Sequence, residues 1–96
     1  MKWIEIITLR SLAKVNTQFL DELLQQVIKS KIINGHPSEI RVYHHCTVET
    51  DLSIHIHWET KTGPPRESPL GQQLSYALKG LGLLNHSVWV EAGGWE

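Results

Sequence analysis

Leu12, Val15, Phe19, Leu23 and Val27 recur at three- and four-residue steps, and Leu20, Leu24 and Ile28 widen the same stripe. That period belongs to an amphipathic helix, ending near Lys29-Ser30-Lys31, where cations suit the carboxyl end of the dipole. A β-branched and aromatic run from Trp3 to Leu9 precedes it and reads as a strand. After a loop at Asn34-Gly35-His36-Pro37, the stretches Ile40 to Val48 and Leu52 to Glu59 read as two further strands around a turn. Thr62-Gly63-Pro64-Pro65 interrupts the chain again. Ser68-Pro69 then supplies a helix cap and a proline at the first helical position. Leu70, Leu74, Ala77, Leu78 and Leu81 form the stripe of this second helix, expected to reach about Lys79 and to stop at Gly80 or Gly82. His86 to Glu91 is the last strand, followed by a short tail with Trp95.

The order β-α-β-β-α-β is the split βαβ pattern of a ferredoxin-like α+β fold. Right-handed crossovers put both helices on one face of a four-stranded antiparallel sheet, with the first and third strands central. A chain of 96 residues is one such domain, spanning 1–96. Domains near this size bury only about 60% of their unfolded surface, so the core is thin and self-association would help it. The formal net charge of −1, with no Lys/Arg cluster, offers no attraction for nucleic acid or an anionic membrane. The single cysteine forms no internal disulfide, which is the usage of a reducing cytosol. The start, Met1-Lys2-Trp3-Ile4-Glu5, is too charged for a secretory signal, and no apolar run of about 18 residues exists to span a membrane. The expectation is a soluble, cytoplasmic protein.

Alternation divides each strand between the helix side and the bare side. Ile54, Ile56 and Trp58 are expected under the helices, leaving Ser53, His55, His57 and Glu59 bare. Ile40, Val42, Cys46 and Val48 are expected inside, with Arg41, Tyr43, His45 and Thr47 outside. For the first strand, Ile4 and Ile6 are expected inside and Trp3, Glu5, Ile7 and Leu9 outside. For the last, Val88 and Val90 are expected inside and Ser87, Trp89 and Glu91 outside. The hairpin has two registers. A two-residue turn at Thr50-Asp51 would collect His44, Cys46, His55 and His57 on one face, as in a zinc site. A bulged three-residue turn instead pairs even with even positions and groups His45, His55 and His57. A one-residue slip exchanges the faces, and the hydrophobic match favours the second register.

The bare face so defined mixes Trp3, Tyr43 and Trp89 with His45, His55, His57 and Glu5. Such a surface is expected to be covered, most simply by a second copy of the chain. With the opening strand Trp3-Ile4-Glu5-Ile6-Ile7, the helix from Val15 to Ile28, the central hairpin and the closing strand Ser87-Val88-Trp89-Val90, the chain resembles the dimeric α+β-barrel superfamily. This includes the antibiotic-biosynthesis-monooxygenase-like and stress-responsive barrel proteins. The resemblance is architectural and brings no catalytic signature. It implies a homodimer with a cavity for a small organic molecule, and an activity such as a cofactor-independent monooxygenase or isomerase.

In that reading His55 or His57 is the general base, because imidazole titrates near neutrality. Glu5, Tyr43 and His45 support it. Trp3, Tyr43 and Trp89 stack on a planar ligand, and Arg41 meets a carboxylate. A metal held by His55, His57 and Glu5 is a further alternative, as is a non-catalytic interaction module with structural histidines. Cys46 is expected in the core, and His36 and His86 in or near loops.

Overall fold

A computed structural model describes residues 1–29, 36–61 and 65–95. The expected helix end at Ser30-Lys31, the turn at Asn34-Gly35 and the break at Thr62-Gly63-Pro64 lie outside the described residues. The elements follow in the anticipated order: β1 (Lys2–Ser11), α1 (Thr17–Ile28), β2 (Glu39–His44), β3 (Asp51–Glu59), α2 (Pro69–Leu78), a 3₁₀ turn (Lys79–Leu81) and β4 (Gly82–Val90). The strands form one antiparallel sheet in the order β2-β3-β1-β4. Both helices cover the same face. Leu20 and Val27 of α1 and Leu70, Leu74 and Leu78 of α2 share one core cluster with Ile54, Ile56 and Trp58. Among the described residues no helix is long and apolar enough to cross a membrane.

Local chemistry sets the helix ends. Asn16 caps α1 by accepting from the backbone N–H of Gln18 at 2.7 Å, so the helix starts at Thr17, later than the stripe from Leu12 implied. Leu12 is therefore outside the helix and 96% exposed. The buried seam of α1 centres on Leu20 and Val27, with Leu23 and Leu24 packed against the core, while Phe19 lies at its exposed margin. Ser68 caps α2 as its sequence anticipates, accepting from the Gly71 N–H at 3.0 Å, with Pro69 opening the helix. Chain reversal through the 3₁₀ turn lets β4 begin at Gly82, four positions earlier than expected.

One strand has the opposite facing. In β1, Trp3, Glu5, Ile7 and Leu9 point to the helices and are buried, whereas Ile4 and Ile6 lie on the other face. Both sets are rich in apolar residues, so alternation alone does not choose between them. Pairing does: Trp3 lies opposite Trp58, Glu5 opposite Ile56 and Ile7 opposite Ile54. The two tryptophan rings stack with centroids 5.6 Å apart, an arrangement worth more than its buried area alone.

Glu5 fits this interior because its carboxylate is saturated. Oε1 accepts from the Trp58 indole N–H at 2.7 Å, and Oε2 accepts from the Ser68 backbone N–H at 3.0 Å and lies 2.7 Å from His86 Nε2. An ion or polar group buried without such partners would be strongly destabilising. Gly71 on α2 leaves the space for this cluster: a Cβ there would collide with Glu5 Oε2 and lie 2.9 Å from the His86 ring. Gly71→Ala should therefore destabilise the protein by about 1–3 kcal/mol or more through overpacking, although alanine favours a helix interior by about 1 kcal/mol over glycine. Urea unfolding measures the sign. A stabilised variant would show that the helix moves away at no cost.

Candidate functional site

The uncovered sheet face is a lattice set by strand register. One row runs Arg41, His55, Ile6 and Ser87, the next Glu39, His57, Ile4 and Trp89, and a third Tyr43, Ser53, Thr8 and Asn85. Ile6 is thus flanked by His55 and Ser87, and Ile4 by His57 and Trp89. No helix crosses these side chains among the described residues. Two shallow hollows occupy the ends of the face. One, of about 450 Å³, is bordered by Ile4, Glu39, His57 and Trp89. The other, of about 570 Å³, is bordered by Thr8, Tyr43, Ser53 and Asn85.

His55 is the most constrained polar group on this face. Its Nε2 lies 2.8 Å from the Ser53 hydroxyl, and its ring tilts against Tyr43 with centroids 4.7 Å apart. Arg41 sits directly across the ladder from His55, but its guanidinium pairs with Glu39 at 2.6 Å. The Trp89 indole donates to Ser87 Oγ at 2.8 Å and more than half of its surface is exposed. Partial burial, and secondly the charge of a protonated His57, push the His55 pKa below its ordinary value of 6.5. A neutral imidazole is then the resting form at pH 7, able to accept a proton or a hydrogen bond.

Three expected site residues lie elsewhere. Glu5 and Trp3 lie on the helix side, because β1 pairs odd positions with the even positions of β3. Glu5 thus cannot orient His55, and the proposed His55/His57/Glu5 metal set is split by the sheet. Among the described residues no group of three or more His, Cys, Asp or Glu is placed to hold a metal ion. His45 is also absent from the cluster. The even-with-even register holds, with Ile40 opposite Ile56 and Val42 opposite Ile54, yet β2 stops at His44. Residues 45–50 form a loop in place of a three-residue turn, and His45 Nδ1 accepts from the backbone N–H groups of Thr47 and Val48 at 3.1 and 3.2 Å. Its ring holds the loop together. Cys46 is in that loop and exposed, not under the helices.

The second polar cluster, Glu5 with His86, has its histidine inside β4, where the first position of the last strand, next to a loop, was expected. The signal was present in the sequence: Val88 and Val90 face inward, and His86 shares their parity. Extending β4 toward Gly82 makes that parity structural. His86 continues the network on its other nitrogen, with Ser75 Oγ at 3.4 Å and Glu67 Oε1 at 3.6 Å from Nδ1.

The lowered His55 pKa has a thermodynamic consequence. Between the folded-state pKa and 6.5 the unfolded chain binds more protons at this site, so stability rises with pH across that window. The contribution is complete above 6.5 and is lost as pH falls toward the folded-state value. The difference in unfolding free energy between the parent and His55→Gln should therefore shrink as pH drops from 7.5 to 5. A difference constant across this range would exclude a lowered His55 pKa. No protein-family model matches the chain, and no curated protein is significantly similar to it.

Proposed function

We propose that the uncovered sheet face binds a small planar organic molecule and is closed by a second copy of the chain, giving a homodimeric α+β barrel. The observation that carries this reading is the lattice itself. Ile4 and Ile6 form an apolar floor in the middle of an uncovered sheet, with Tyr43 and Trp89 at its margins and His55 and His57 beside it. An antiparallel sheet can leave a polar face in water; here polar rows surround an apolar centre of Ile4 and Ile6 with Trp89 beside it, and a second copy would bury that centre. Self-association across a two-fold axis is the commonest way to cover such a surface.

The two hollows then become interior volume, with aromatic walls and few convergent polar groups, as in small-molecule sites. His55 supplies a neutral imidazole held by Ser53 and Tyr43. It is the residue assigned as general base if the site performs cofactor-independent oxygenation or isomerisation, with His57 as its neighbour. Arg41 and Trp89 orient the ligand. Glu5 takes no part, whereas Trp3 and His45 border the two hollows from the strand ends.

Sedimentation equilibrium at micromolar concentration tests the assembly. The parent chain is expected to be a dimer and Ile6→Glu a folded monomer, since a charge at the centre of the face opposes burial against a copy of itself. A monomeric parent would overturn the barrel. His55→Ala combined with His57→Ala should retain the dimer while abolishing ligand binding. Loss of the dimer in this double variant would make the histidines interface residues and support a non-catalytic interaction module.

A further inference from the structure

We propose that Ser75, His86 and Glu5 form a second site, at the seam between α2 and β4, in which the Ser75 hydroxyl is a nucleophile toward small activated esters. The three groups make a continuous relay: Ser75 Oγ lies 3.4 Å from His86 Nδ1, and His86 Nε2 lies 2.7 Å from Glu5 Oε2. A nucleophile within reach of a base that is itself oriented by a third group is the geometric signature of covalent catalysis, and the first contact is commonly long without substrate. Here the ends of the imidazole are used in the reverse sense, with the carboxylate on Nε2 and the hydroxyl on Nδ1.

The carboxylate end is the most constrained part. Glu5 is fully buried and also accepts from the Trp58 indole and the Ser68 N–H. Facing an acceptor, His86 Nε2 carries a hydrogen; in the proposed relay this is the ring's one hydrogen, and Nδ1 turns its lone pair to Ser75. A well-packed apolar group could fill such a core position with equal stability, so the buried acid and base are not demanded by packing. The other end is accessible. Ser75 is only partly buried, β4 is an edge strand, and Glu67, the other group facing Nδ1, is about half exposed.

In the acylation step, Ser75 Oγ forms a bond to the ester carbonyl carbon and its proton passes to His86 Nδ1. The carbon–oxygen bond to the leaving group then breaks: an alkoxide takes the proton from His86 and departs as the alcohol, whereas a phenolate departs as the anion and His86 releases its proton to solvent. Water completes the cycle: His86 takes a proton from it, the acyl group leaves as the carboxylic acid, and Ser75 regains its hydrogen. No oxyanion donor is assigned at Ser75, and one such donor is worth about 10²–10³ in rate. Turnover should accordingly be slow, and the covalent step is the quantity to measure.

The test is incubation of the full chain with p-nitrophenyl acetate, with release of p-nitrophenolate followed optically and acetylation located by tandem mass spectrometry. An acetyl group on Ser75, absent in Ser75→Ala and formed about 10²-fold more slowly or less in a folded His86→Gln variant, is the expected result. Acetylation only of lysines or tyrosines, or an unchanged rate in His86→Gln, would overturn the proposal. Because His86→Gln disturbs the Glu5 cluster, imidazole ¹⁵N shifts of the unmodified protein at pH 7.5 provide a check independent of folding. A neutral ring protonated on Nε2 supports the relay; an imidazolium, or hydrogen on Nδ1, refutes it.

Discussion

The buried carboxylate of Glu5 determines how this chain is arranged. It sits at the centre of the sheet and collects donors from β3, from the start of α2 and from β4. A carboxylate removed from water without those donors would be strongly unfavourable, so its burial is permitted only in one arrangement of the four elements. Trp58 must lie on the helix side of β3, the α2 cap must lie over β1, and β4 must present His86 inward. Gly71 is part of the same constraint, since any side chain there would occupy the carboxylate's place.

This explains which parts of the fold are legible in the sequence. The helical periods from Phe19 to Ile28 and from Leu70 to Leu78, the Ser68-Pro69 start and the inward parity of Ile54, Ile56, Trp58 and Val88 each have a local cause, and the structure keeps them. The facing of β1 has no local cause. Trp3, Ile7 and Leu9 compete with Ile4 and Ile6 for the interior, and a reading by alternation assigns the charged residue to the open face. Glu5 goes inward because its partners are 53, 63 and 81 positions away, distances over which a one-dimensional pattern carries no information. The candidate site inherits the same division. His55, His57, Tyr43, Arg41 and Trp89 share the open face as their parity required, while Glu5 and Trp3 moved with β1.

The hairpin shows a different limit. Hydrophobic matching gave its register correctly, since Ile40 and Val42 meet Ile56 and Ile54. The extent of pairing depends instead on the loop. His45 accepts two backbone N–H groups within three residues, competing with continued strand pairing as local side-chain bonds do. The ladder therefore ends at His44, and the dense Tyr43-His44-His45-Cys46 sequence is not a dense site. Each of its residues has a separate environment.

The two histidine sites lie on opposite faces of the sheet, yet they share β1. Glu5 projects to one side, and its neighbours Ile4 and Ile6 project to the other, where they contact the rows containing His57 and His55. A slip of β1 by one residue would move Glu5 onto the open face and return Ile4 and Ile6 to the core. That slip would abandon three hydrogen bonds to the carboxylate and the Trp3–Trp58 stack at once. The saturated carboxylate on the helix side therefore fixes the apolar floor beside His55 on the other side. The composition of the uncovered face is in this sense set from within the core, by a residue that never reaches it.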